Sequence, residues 1–127
     1  MKPITREWVD KAEADYAAAL VLRRSRKKHS REIVCFLLQQ CVEKYLKGRL
    51  IEAGIAFAKT HDLELLLDLV VTVEPLWAVL RPALGKIKYH AVESRYPGRG
   101  ATPAEANLIL GATARIRKLA RLSLGLR

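Results

Sequence analysis

Apolar residues recur along this chain at helical spacing. Trp8, Ala12, Tyr16, Ala19 and Leu22 form one stripe, with alanines between them that let a neighbouring helix approach closely. Thr5 is placed to cap the start of this first helix. Glu7 and Asp10 suit the positive end of its dipole, and Arg23, Arg24, Arg26 and Lys27 suit the negative end. A second helix is predicted from Ser30 to about Ala53, ended by Gly54 in a left-handed cap. Its apolar surface takes in Ile33, Val34, Phe36, Leu37, Leu38, Cys41, Val42, Tyr45, Leu46, Leu50 and Ile51, more than one neighbour would bury. That breadth predicts a helix that is central and also at a subunit interface.

Thr60 can cap a third helix from His61 to Val73, with Asp62 in its first turn and Leu63, Leu66, Leu67 and Val70 facing inward. Pro75 forces a break. The stretch Leu76 to Tyr89 then reads as helical, with Pro82 a kink or boundary inside it. Ser94 to Gly100, with proline, two glycines and two arginines, reads as a loop. The last helix has the strongest start signal, because Thr102, Pro103 and Glu105 form a capping box with proline at the first helical position. Leu108, Ile109, Ala112, Ile116, Leu119 and Leu122 continue it. No segment alternates as a strand would, no repeat appears and no linker divides the chain. The expected architecture is all-α, an up-and-down bundle of four to five helices in a single domain over residues 1–127.

Composition agrees with a folded domain: half of the 127 residues are hydrophobic and 28% are charged, far from the balance of a disordered chain. Cys35 and Cys41 point to different sides of one helix, form no CxxC motif and lie in an apolar run, so buried, reduced thiols are expected. The first residues lack an apolar signal core, and no stretch approaches the roughly 18 apolar residues of a membrane span. A cytoplasmic location without membrane contact is expected.

A formal charge of +10 biases the protein toward phosphate-rich or acidic partners. The charge is uneven. Arg23, Arg24, Arg26, Lys27, Lys28 and Arg31 fall within nine residues that hold no acid, at the first interhelical turn. Arg95, Arg99, Arg115, Arg117, Lys118, Arg121 and Arg127 follow Glu93 with Glu105 alone among them. Such clusters neutralise phosphates, and arginine grips them with two parallel donors; the first cluster reads equally as a cation-rich helix end. In the loop, Arg95 and Tyr96 stand beside Pro97 and Gly98, near Tyr89 and His90. A guanidinium, a phenol and an imidazole could there meet a phosphate and a stacked base, or Tyr96 could pack back onto the bundle.

Other chemistries lack their residues. There is no Glu-x-x-His pair for a dimetal bundle, and the reversed His61-x-x-Glu64 at a helix start reads as capping on a solvated face. Phosphate-binding glycine loops and the Gly-x-Ser-x-Gly elbow are missing as well. No metal or cofactor is expected.

Trp8, Ala12, Asp15 and Tyr16, the run CFLLQQCVEKYLKGRL from Cys35 to Leu50, Lys59-Thr60-His61-Asp62-Leu63 with Leu66, and Glu93-Ser94-Arg95-Tyr96-Pro97 together resemble the HEPN domain family over nearly the whole chain. These are small helical proteins often encoded beside minimal nucleotidyltransferases. The resemblance implies a homodimeric bundle with polar residues around a cleft near the dimer axis. Many members are metal-independent ribonuclease toxins marked by an arginine followed after four to six residues by a histidine. Here no histidine follows Arg95, and the sole Arg-x-x-x-x-His, Arg24 to His29, lies in another part of the fold. A lone arginine would lack the imidazole for proton transfer.

The chain is instead similar to the branch that keeps an Arg-Tyr-Pro segment and acts with a nucleotidyltransferase partner. On that resemblance Arg95 and Tyr96 contact nucleotide or partner, Lys88 and His90 lie nearby, and Lys44 and Lys47 add positive potential. Lys44 and Lys47 read equally as exposed helix residues. The expectation is a nucleotide- or RNA-binding homodimer paired with a minimal nucleotidyltransferase, in a toxin-antitoxin setting. Its alternatives are a degenerate ribonuclease using Arg95 and His90 and an antitoxin-like structural partner.

Overall fold

The computed structural model describes residues 1–94 and 96–127, and Arg95 lies outside them. Helix α1 (Pro3–Leu22) starts two residues before the predicted cap. Pro3 has no N–H to leave unpaired and its φ already suits a helix, so it can open one without a side-chain cap. Thr5 is therefore inside the helix, fully buried, with its hydroxyl donating to Glu52 Oε1 at 2.8 Å. The Lys2 amide donates to the same carboxylate at 2.9 Å and ties the start of α1 to the end of the next helix.

Helix α2 (Ser30–Ala53) has the predicted bounds. Gly54 takes φ +72° after it, and the backbone donates from Gly54 to Ile51 and from Ile55 to Leu50, which closes the helix end. Helix α2 packs against all four of the others, so it is central, as its broad apolar surface predicts. Val34, Cys35, Leu38, Cys41, Val42, Tyr45, Leu46 and Leu50 are buried within this one chain. The closest approach is to α1, where a Cβ on Gly48 would lie 3.2 Å from Trp8 Cβ. Glycine leaves the room for that crossing.

Helix α3 (Leu63–Val70) is shorter than predicted and is capped by Asp62 rather than Thr60. The Asp62 carboxylate accepts from the Glu64 and Leu65 amides at 3.0 and 3.2 Å, while Thr60 Oγ1 accepts from the Asp62 amide itself at 3.1 Å. Leu63, Leu66, Leu67 and Val70 face the core as expected. Val70, Val71, Thr72 and Val73 are all β-branched and lead into Pro75, so the helix gives way to i→i+3 turns. The segment Pro75–Leu80 is a 3-10 helix, and α4 (Arg81–Glu93) follows with Pro82 in its first turn, making that proline a boundary and not a kink. Helix α5 (Pro103–Ser123) has both halves of the predicted capping box: Glu105 N donates to Thr102 Oγ1 at 3.1 Å and Thr102 N to Glu105 Oε1 at 2.9 Å. Among the described residues there is no strand.

A polar seam joins α1, α2 and α5. Arg117 donates two hydrogen bonds to Glu13, at 2.7 and 2.6 Å, the Tyr45 hydroxyl donates to the same carboxylate, and Arg121 lies 3.5 Å from it. The Arg117 fork holds the Glu13 carboxyl below the usual range. Cys35 and Cys41 are buried free thiols, pushed up to about 11 and about 12 chiefly by desolvation.

His29, immediately before α2, is the one described residue other than glycine with positive φ, at 70°. An L side chain is strained there by about 1 kcal/mol. His29→Gly is accordingly expected to raise stability by about 0.5–1 kcal/mol, read as a higher urea midpoint at unchanged slope. The exposed pair between His29 and Glu32 that it removes offsets little of this gain.

Candidate nucleic-acid interface

The turn between α1 and α2 and the loop between α4 and α5 lie at the same end of the bundle and wall a groove of about 830 Å³. One wall carries Arg23, Arg26, Lys27, Lys28 and Arg31; the other carries Gly98, Arg99 and Gly100, with Asn107 of α5 below. The turn is shaped locally: Ser25 Oγ accepts from the Lys27 amide and the Ser30 hydroxyl, both at 3.1 Å, and the left-handed His29 redirects the chain into α2. Consecutive cations are thereby fanned around a bend instead of spaced along a helix face.

Among the described residues these turn cations have no carboxylate partner; the same is true of Arg6, Lys11, Lys59, Lys86, Arg115 and Lys118 elsewhere on the bundle, but five of the turn's cations line one concave surface. Among the described residues none of Arg23, Arg24, Arg26, Lys27, Lys28 and Arg31 forms an ion pair, whereas Lys44, Lys47, Arg49, Arg81, Lys88, Arg99, Arg117 and Arg121 each do. The single acid lining the groove, Glu32, is held by His29 Nδ1 at 2.8 Å. A concave surface lined by unpaired cations focuses positive potential outward.

A smaller recess of about 470 Å³ shares Gly98, Arg99 and Gly100 with the groove and continues it toward Tyr89 and His90. His90 Nδ1 is 3.2 Å from Glu105 Oε2, the same carboxylate that completes the α5 capping box. Tyr89 meets His90 edge to face, with centroids 5.2 Å apart at 84°, and is 56% exposed. Arg99 pairs with Glu93 at 3.4 Å across the loop.

Of the residues singled out from sequence, His90 lines this recess and Arg95 lies outside the described residues. Tyr96 is exposed in the adjoining turn. Lys88 faces Asp62 at 3.7 Å beside the start of α3, and Lys44 pairs with Asp15 of α1. Lys47 is buried, 3.1 Å from Glu43 and over the rings of Trp8 and Phe57. His61 Nδ1 meets the same Glu43 carboxylate at 3.1 Å, and neither Lys44, Lys47 nor Lys88 lines the groove. The cationic turn and the loop with Arg99 were visible in sequence. Their meeting was not, although the Pro-Gly-Arg-Gly loop is the kind of segment that can lie close against another chain segment or a phosphate. Among the described residues no group of three or more His, Cys, Asp or Glu side chains could hold a metal, and no helix is long and apolar enough to cross a membrane.

Among the described residues the chain is a five-helix bundle with a central second helix and a cation-lined groove at one end. Comparison with protein families matches residues 5–123 to the HEPN domain, and the chain belongs to that family. Comparisons with curated proteins and with solved structures gave no match.

Proposed function

We propose that this protein is a nucleotide- or RNA-binding HEPN module that works as a homodimer with a minimal nucleotidyltransferase, in a toxin-antitoxin pair. The observation that carries the binding part is the groove of unpaired cations between the α1–α2 turn and the α4–α5 loop. Holding like charges together without partners costs folding stability, so their retention at a concave surface points to an anionic ligand that neutralises them. The homodimer and the nucleotidyltransferase partner rest on family membership. Four neighbours within the chain bury most of the apolar surface of α2, leaving Ile33 exposed and Phe36, Leu37 and Ile51 half-buried.

The test has two arms. Purified protein at low salt is expected to bind ATP, GTP or RNA, and to co-purify with a nucleotidyltransferase encoded beside it. Binding of none of these ligands removes the first half of the reading, and separate elution of the two proteins removes the second.

One observation favours a second reading, a degenerate metal-independent ribonuclease using Arg95 and His90. His90 lines the recess beside Arg99, with its Nδ1 3.2 Å from Glu105 Oε2, and an imidazole is the group that such a reaction would use for proton transfer. RNA cleavage that persists undiminished in His90→Ala and Arg95→Ala eliminates it.

A further inference from the structure

The groove and the recess beyond it are one surface, joined at Gly98–Gly100, and they differ in chemistry. The groove offers guanidinium and ammonium groups, and among the described residues no Phe, Tyr or Trp ring lines it. Such a wall grips phosphates and is indifferent to bases. The recess offers the ring of Tyr89, more than half exposed and buttressed by His90, which Glu105 holds in turn. A ring fixed in that way is a platform on which a base can stack without first being ordered.

We infer that the ligand of this site is a single strand of nucleic acid, its phosphates along the α1–α2 turn and one base on Tyr89 after the strand crosses the Gly98–Gly100 ridge. The inference rests on the nucleotide- or RNA-binding reading and narrows it from a mononucleotide to a strand. A mononucleotide would place its base and its few phosphates within one recess. Here five unpaired cations lie in the groove, and the stacking ring is in the next recess. Gly98, at φ +79° with nothing within 4 Å of a Cβ position, and Gly100 keep the ridge between them low.

The experiment is fluorescence anisotropy of the full chain with a labelled oligouridylate of about ten nucleotides, competed by UMP, ATP, inorganic tripolyphosphate and a poly-glutamate peptide of similar charge. The strand is expected to bind at least about 10-fold more tightly than UMP or ATP. The slope of log K against log salt is expected to flatten by about 0.7 for each phosphate contact removed, hence by about 1.4 in an Arg26→Gln/Arg31→Gln double variant. Tyr89→Ala is expected to weaken the strand about 10-fold while leaving tripolyphosphate unchanged, and Tyr89→Phe to restore it. Circular dichroism checks that each variant keeps its helices.

UMP or ATP binding as tightly as the strand overturns the inference and leaves the module reading intact. Tyr89→Ala without effect on the strand overturns the path across the ridge. Poly-glutamate binding as tightly as the strand makes the groove an acidic-protein surface and overturns it too. If neither mononucleotides nor strand bind, the broader reading fails with it.

Discussion

Glu13→Gln is expected to destabilise the protein by about 3 kcal/mol at neutral pH, because it removes the one anion that Arg117 and Arg121 share in a half-buried seam. The glutamine keeps the shape but not the charge. It leaves two guanidinium groups facing each other beside the Tyr45 hydroxyl, with only a neutral acceptor to bridge them. In a domain of this length the loss corresponds to a melting point about 10 °C lower. Its pH dependence distinguishes a charge effect from a packing effect. The Glu13 carboxyl is held below its ordinary 4.5 in the folded state, first by the Arg117 hydrogen bonds. Its stabilisation is therefore complete above the unfolded value and is lost as pH falls through the lower folded one. Urea midpoints of wild type and Glu13→Gln should differ most at pH 7 and converge as pH falls below about 4; a difference that stays constant would assign the effect to packing.

The second large effect is on binding and runs opposite to stability. Replacing Arg26, Lys27, Lys28 and Arg31 together by glutamine is expected to lower the affinity for an RNA strand by about 10²-fold or more at 0.1 M salt, since four phosphate neutralisations are lost. None of the four has a carboxylate partner to lose, so the folded state gives up repulsion and no attraction. Denaturant unfolding should show unchanged or slightly raised stability, by up to about 1 kcal/mol. A variant that loses binding and stability together would mean that the cations hold the turn in shape. A variant that keeps full affinity would mean that the groove is not the binding surface.

These contrasts explain what could be read from sequence. The bounds of α2 and the capping box of α5 were legible because each depends on nearby residues: Gly54 just beyond the last helical residue, and Thr102 with Glu105 three residues on. Thr5 and Thr60 misled for the opposite reason. A threonine hydroxyl can serve a local amide or a distant acceptor, and Thr5 found Glu52, 47 residues away, once α2 had packed against α1. The 3-10 segment Pro75–Leu80 was read as part of a longer helix because Leu76, Trp77 and Leu80 fit either period over so short a span.

Charge was the hardest quantity to interpret from the chain alone. The sequence counts cations but not their partners. Lys44 and Lys47 read in sequence as added positive potential or as exposed helix residues, and folding sets them against Asp15 and Glu43. The arginines and lysines at the bend, which the fold leaves without acids, are gathered on one concave surface and keep a field directed at solvent. That the second wall of the groove comes from residues 98–100, some seventy positions later, follows from α5 starting at the same end of the bundle as α2 and running parallel to it, so that Val34 and Ala106 share the groove and Tyr45 meets Arg121 further along.

The two buried thiols give the molecule an internal clock. Cys35 and Cys41 lie on the helix that touches every other helix, with no solvent-accessible surface and with acidities suppressed by burial. A thiol-specific reagent therefore cannot reach them while the bundle is closed, and the nucleophilic thiolate scarcely exists there at neutral pH. Labelling proceeds through openings that part α2 from its neighbours, and when closing outpaces the reagent its rate follows the population of the open form. Anything that settles into the cationic groove and braces the N-terminal end of α2 will slow that clock, so the chain carries a built-in gauge of its own occupancy.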